Sequence, residues 1–170
     1  AHDKGLRLRI RPTWLCVHTD PLLLERILLN LCANAIRYTR QGGAIVTARP
    51  RKDHVRIEVW DTGIGIAPGQ QQRIFEEFYQ VGGAPDSGSR GLGLGLAIVD
   101  RLARLLELQV QIRSTPDRGS VFALDVPRAH VSECAPVDLA VPVATMHFDA
   151  MPVLLIDDDP IAREATEGLL

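Results

Sequence analysis

Glu25-Arg26-Ile27-Leu28-Leu29-Asn30-Leu31-Cys32-Ala33-Asn34-Ala35-Ile36-Arg37-Tyr38 is the stretch that decides the fold of this chain. Leu24, Ile27, Leu28, Leu31 and Ala35 recur at helical spacing and make one apolar stripe. Asn30 and Asn34 stand one turn apart, and Arg37 continues their polar side. Amides beside an apolar seam need partners, because a buried polar group without one weakens the fold. A metal ion with phosphate oxygens would satisfy all three groups. Helix-capping or core amides would account for the same pattern, so this segment alone leaves both readings open.

Outward from this helix, Asp20-Pro21 is a good start signal, an acidic N-cap followed by proline at the first helical position. Gly42-Gly43 breaks the chain after Tyr38. Upstream, Leu6-Arg7-Leu8-Arg9-Ile10 alternates as an edge strand does. Residues 44–51 and 55–60 read as a hairpin, 61–69 as a Gly/Pro-rich loop and 70–75 as a short helix. Residues 82–95 are too rich in glycine to form a helix or strand alone, and a long loop inside a compact domain is functional or disordered. We expect it to be a mobile lid. Helical periodicity returns over 96–106 through Ile98, Leu102 and Leu105. Residues 108–114 and 120–126 form a second expected hairpin across Pro116-Asp117-Arg118-Gly119. The expected organisation is one domain over 1–127, a linker over 128–151, and a short apolar strand with an acidic end, Ile156-Asp157-Asp158-Asp159, within 152–170.

The chain has 170 residues, 46% of them hydrophobic, which suits one compact domain with a tail. A formal net charge of -2 gives no general attraction to nucleic acid or anionic lipid, so no nucleic-acid partner is expected. No apolar run is long enough to span a bilayer and no signal peptide opens the chain. A cytoplasmic location is expected, and a longer parent anchored in an inner membrane is compatible with it. Cys16, Cys32 and Cys134 make neither a disulfide framework nor a zinc spacing and read as free thiols.

Two glycine-rich segments carry chemistry. Asp61-Thr62-Gly63-Ile64-Gly65-Ile66 follows a predicted strand. A carboxylate buried there can accept from an adenine amino group, with Gly63 and Gly65 letting the backbone approach the base. A tight turn with an Asx cap is the plain alternative. Gly91-Leu92-Gly93-Leu94-Gly95-Leu96 leads into a helix, where free N–H groups and the dipole favour phosphate. Its spacing is neither the Rossmann nor the Walker A pattern. Between them lies Ile74-Phe75-Glu76-Glu77-Phe78-Tyr79-Gln80, whose aromatics suit either core packing or the base of a loop. Gly119-Ser120-Val121-Phe122 adds a turn and a hydroxyl near the last strand.

In that order, the asparagine helix, first glycine box, aromatic box, second glycine box and final Gly-Ser-x-Phe resemble the catalytic and ATP-binding domain of sensor histidine kinases. These belong to the superfamily that includes DNA gyrase. The resemblance covers about residues 5–127, and Asp117 stands where many relatives have another glycine. It implies an α/β two-layer sandwich (the Bergerat, or GHKL, ATPase fold), with a mixed, mostly antiparallel sheet covered by helices on one face. It implies ATP and Mg²⁺ as cofactors and catalytic roles for Asn30, Asn34 and Arg37. Asn34 would coordinate Mg²⁺, Asn30 support the phosphate side, Arg37 contact phosphate and Tyr38 pack near the base. Asp61 would read adenine, with Gly63, Gly65 and Ile66 shaping its pocket and Ser120 closing it. Arg90, Gly91, Gly93, Gly95 and Leu96 would line the polyphosphate. The tail resembles the start of a response-regulator receiver domain, with Asp157 and Asp158 as its metal-binding pair; a solvated acidic turn is the alternative.

Together these imply a hybrid histidine kinase cut at both ends, transferring the ATP γ-phosphate to a histidine upstream of Ala1. Its partners would be an upstream dimerisation and phosphoacceptor domain and its own or a separate receiver. The fragment would be monomeric and the parent a homodimer. Three rivals remain: a gyrase-like or mismatch-repair-like ATPase, which places a water-activating glutamate where Asn30 stands; an anti-sigma-factor serine kinase, which shares the fold but would not explain the receiver-like tail; and a non-catalytic nucleotide-sensing module.

Overall fold

The computed structural model describes residues 4–81 and 92–129. Arg90, Gly91, Asp157 and Asp158 lie outside them, as do most of the expected lid, the linker and the receiver-like tail. The chain divides into two compact units, 1–135 and 136–170, and only residues of the first are described.

Five strands make one sheet: β1 (Arg7–Ile10), β2 (Gly43–Pro50), β3 (His54–Asp61), β4 (Val110–Thr115) and β5 (Gly119–Pro127), in the order β1-β2-β3-β5-β4. β1 pairs parallel with β2 and the other three pairings are antiparallel, so the sheet is mixed and mostly antiparallel. Two α-helices, α1 (Pro21–Tyr38) and α2 (Gly95–Leu105), pack against each other. α1 also lies on β2 and β3, and α2 reaches β4, so both cover one face of the sheet.

The apolar stripe explains the packing. Leu24, Ile27, Leu31 and Ala35 of α1 are buried against Val55, Ile57 and Val59 of β3 and Phe122, Leu124 and Val126 of β5. Both strands alternate, so every second residue enters this core. Asp20 caps α1 by accepting the Leu23 N–H at 3.0 Å. α2 ends differently. Glu107 takes a left-handed φ of 57°, and the Leu108 N–H returns to the Ala103 carbonyl at 2.8 Å. This capping turn is why β4 starts at Val110 rather than at Leu108, which is buried in the core.

The short helix expected over 70–75 is instead two separate 3₁₀ turns, Pro68–Gln70 and Arg73–Phe75. Six residues are too few to nucleate an α-helix. The Gln71 side chain is drawn sideways, donating to the Ile66 and Ser114 carbonyls at 3.2 Å each. Cys16 is disulfide-bonded, which corrects the free-thiol expectation there; Cys32 is free and partly buried.

The sheet's other face is polar. Glu58 is buried, and its carboxylate accepts from Arg56 at 3.3 Å, Trp60 Nε1 at 3.2 Å and Arg113 at 3.5 Å. Arg56 also forks onto both oxygens of Asp125. Three donors on one carboxylate offset the cost of burying its charge. Among the described residues, no helix is long and apolar enough to cross a membrane.

Ile27 is fully buried where α1 meets the sheet. Ile27→Ala should destabilise the domain by about 2–5 kcal/mol, read as a lower urea midpoint. A midpoint within error of the parent's would show that α1 does not carry the core.

Candidate functional site

Two adjoining cavities open between the helices and one end of the sheet, and they share Asn34, Tyr38, Ile74, Tyr79 and Leu96 as a common wall. The inner one is an apolar slot with Ile64, Ile66 and Phe122 in its walls and a polar end formed by Asp61 and Ser120. The outer one runs along Asn30, Arg37, Gly93 and Gly95.

Asp61 is the last residue of β3 and sits opposite Ser120 of β5. Its Oδ1 accepts the Gly63 N–H at 2.8 Å and the Ser120 N–H at 3.2 Å. Burial raises its pKa above the ordinary aspartate range, and these two backbone hydrogen bonds pull in the opposite direction.

The loop after Asp61 is clamped from three sides. The Ile64 N–H reaches the Tyr38 carbonyl at 3.2 Å, the Asp117 N–H reaches the Ile64 carbonyl at 2.8 Å, and the Ile66 N–H reaches Ser114 Oγ at 2.7 Å. The need for glycine here is internal to the fold. Gly65 has a φ of +66°, and a Cβ on it would overlap the Thr115 carbonyl. Gly63 is buried against the Tyr38 carbonyl and lines neither cavity. These glycines therefore let protein backbone approach protein backbone, where the sequence suggested room for a base. Asp117 adopts a left-handed φ of 60°, a conformation that Asp tolerates better than most residues. The turn forms without glycine at that position.

On α1, Asn30 Nδ2 donates to the Arg26 carbonyl at 2.8 Å, so half of its amide is satisfied within the helix. Asn34 makes no side-chain hydrogen bond among the described residues. A Cβ on Gly95 would stand 3.3 Å from Asn30 Oδ1 and 3.5 Å from Asn34 Nδ2, so the first residue of α2 faces both amides. Arg37 is exposed on the rim of the outer cavity, and Tyr38 borders both.

The structure thus gathers Asn30, Asn34, Arg37, Tyr38, Asp61, Gly65, Ile66, Gly93, Gly95, Leu96 and Ser120 around one pair of cavities. Sequence reasoning missed Ile64, Tyr79, Ser114 and Gln71. Tyr79 lines both cavities and carries Arg73 over its ring at 4.4 Å. Its place in the aromatic box was the available signal. Ser114 and Gln71 gave none, because a lone hydroxyl or amide has no period.

Residues 19–130 match the family model described as histidine kinase-, DNA gyrase B-, and HSP90-like ATPase. The aerobic respiration control sensor protein ArcB of Escherichia coli is 37% identical over 181 residues, covering 99% of this chain and 23% of ArcB. The virulence sensor protein BvgS of Bordetella bronchiseptica is 34% identical, covering 93% of this chain and 14% of BvgS. The chain therefore spans about a quarter or less of these relatives' length. Among solved structures, full-length ShkA in complex with AMPPNP superposes with a TM-score of 0.66 at 36% identity, over 76% of this chain and 27% of ShkA. The nucleotide-free catalytic domain of the histidine kinase ThkA gives 0.62 at 24% identity, over 75% of this chain and 82% of that domain, a likeness of fold. With the model spanning helix α1, the Asp61 loop and the last strand, this chain belongs to the histidine kinase-, DNA gyrase B- and HSP90-like ATPase family.

Proposed function

We propose that this chain is the ATP-binding catalytic unit of a hybrid sensor histidine kinase, presenting the γ-phosphate to a histidine on a dimerisation domain outside residues 1–170. The observation that carries this reading is the convergence of Asp61, Ser120 and Asn34 on one cavity system, with an apolar slot at one end and the start of a helix at the other. Adenine fits the slot, where Asp61 accepts from its amino group. The polyphosphate fits the outer cavity, near Gly93, Gly95, Arg37 and the α2 amides. Arg90 and Gly91 would complete that side.

Asn34 has a free amide oxygen facing this region, and Mg²⁺ favours a few protein oxygens together with phosphate oxygens and water. The donor set fits. Bound there, Mg²⁺ would neutralise phosphate charge, while Asn30 and Arg37 hold the chain's polar side toward the phosphates.

No histidine among the described residues is placed to receive the phosphate. His54 begins β3, whose other end is Asp61; eight residues of strand separate them by roughly 23 Å. It pairs with Asp125 at 3.3 Å on the polar face. His18 lies before the α1 N-terminus, and Asn34 is about 20 Å along that helix. Water activation is disfavoured because Asn30 is a poor base and its amide nitrogen already donates to Arg26.

Residues 128–151 are read as a linker and 152–170 as the start of a receiver domain, on the Ile156-Asp157-Asp158-Asp159 pattern of the sequence. Asp157 and Asp158 would be the receiver's metal-binding pair. The parent is then a homodimer that passes phosphate to its own or a separate receiver, in the cytoplasm or on its membrane face.

Asn34→Ala should lower Mg²⁺-dependent ATP affinity by at least about tenfold while leaving α1 intact, since alanine is the better helix former. Calorimetric titration checks this, and unchanged affinity in a folded variant would remove Asn34 as the metal ligand.

Asp61→Asn separates binding from stability. The raised pKa means that stability from this group is present at low pH and is lost as pH rises through the folded value. Asparagine keeps an oxygen for both backbone donors without the charge. Its melting temperature at neutral pH should equal or exceed the parent's, while ATP affinity drops roughly ten- to a hundredfold. Retained affinity would mean that the carboxylate does not read the base.

Incubated alone with labelled ATP and Mg²⁺, the chain should not become stably phosphorylated. Supplying the dimerisation helices should produce an acid-labile, base-stable phosphate on one of their histidines. Stable label on the isolated chain would place the acceptor within it and defeat the proposal.

A further inference from the structure

Ser114 lies on β4, outside every motif that the sequence offers. Its Oγ accepts the Ile66 N–H at 2.7 Å and lies 3.0 Å from both the Gly119 carbonyl oxygen and Ser120 Oγ. A serine hydroxyl has one hydrogen and two lone pairs. One arrangement makes all three contacts hydrogen bonds. Ser114 donates to Gly119, and its lone pairs accept from the Ile66 N–H and the Ser120 O–H. Ser120 then has no hydrogen left to offer; what remains to it is acceptor capacity.

Ser120 is 6% exposed and lines the inner cavity beside Asp61. The Asp61 carboxylate takes its two backbone donors through Oδ1 alone, leaving Oδ2 with no partner among the described residues. Asp61 and Ser120 therefore turn acceptors, and no side-chain donor of their own, toward this end of the cavity. Gln71 braces the arrangement by holding the carbonyls of both Ile66 and Ser114.

We propose that Ser114 is a specificity-determining positioning residue: by taking the Ser120 hydrogen it keeps Ser120 an acceptor, so the cavity admits a purine amino group and rejects a carbonyl at the same position. The inference rests on the ATP reading above and deepens it. Without Ser114 the Ser120 hydroxyl is free to rotate and donate, and a 6-oxopurine such as that of ITP is then matched. In the parent, a carbonyl placed against Asp61 and Ser120 loses its water and gains no partner from either residue.

The test measures the affinity of the 170-residue chain for ATP and for ITP by calorimetry, in the parent and in Ser114→Ala, Ser114→Thr and Ser120→Ala. The parent should prefer ATP. Ser114→Ala should narrow the ATP-to-ITP ratio by about three- to tenfold, the worth of one net hydrogen bond, and Ser114→Thr, which keeps the hydroxyl, should restore it. A merely structural role would weaken both ligands together and leave the ratio where it was. An unchanged ratio in folded Ser114→Ala, or a Ser114→Thr ratio equal to that of the alanine variant, would overturn the proposal. If Ser114→Ala does not fold, Ser120→Ala decides: a narrowed ratio supports the acceptor role and an unchanged one ends it. Equal ATP and ITP affinities in the parent would instead overturn the adenine reading on which this inference stands.

Discussion

A single carboxylate oxygen ties the cavity to the sheet. Asp61 Oδ1 accepts one backbone N–H from the loop that follows it and another from the strand beside it. Because the carboxylate is partly buried, desolvation raises its pKa, and these bonds pull in the opposite direction. The loop from 61 to 66 is thereby held to β5, to the β4–β5 turn and to the C-terminal end of α1. A site fixed on rigid elements in this way meets its ligand with little left to order.

The helix side is built on different physics. α1 presents an apolar stripe to the sheet and two amides to α2, and the contact is close because Gly95 has no side chain. A larger residue there would press against the amides of Asn30 and Asn34. On the reverse of the sheet, the buried Glu58 and its arginine and tryptophan donors form a surface that needs no helical cover. Both helices are thus committed to one face, which is the face that carries the cavities.

Much of this was legible in the sequence, for physical reasons that differ by element. α1 was readable at its start, where its stripe, its Asp20 cap and its proline all agree, and its end was legible to about Tyr38. The strands were readable to within one or two residues from alternation. The two-residue gap falls at the beginning of β4, because Leu108 serves as a helix cap and no pattern distinguishes that from a first strand residue. The short helix at 70–75 failed because six residues are too few to nucleate an α-helix, and two 3₁₀ turns form instead. Within the site, most residues carried by a motif were found, Ile64 and Tyr79 being the exceptions, whereas Ser114 depends on contacts 5 to 48 positions away and leaves no local trace.

The pairing of β3 with β5 has a consequence for the order in which this protein can acquire its structure. Asp61 meets Ser120 across 59 positions of chain, and every residue of β3 is matched to one in the last strand. Closing so long a loop costs entropy that local contacts cannot offset early. During synthesis, helix α1 and the β2–β3 hairpin can form as they emerge, but the inner cavity cannot exist until β5 has left the ribosome. Ligand added to a growing chain would find nothing to bind until then, and from that moment it would favour the completed fold over its partly assembled precursors.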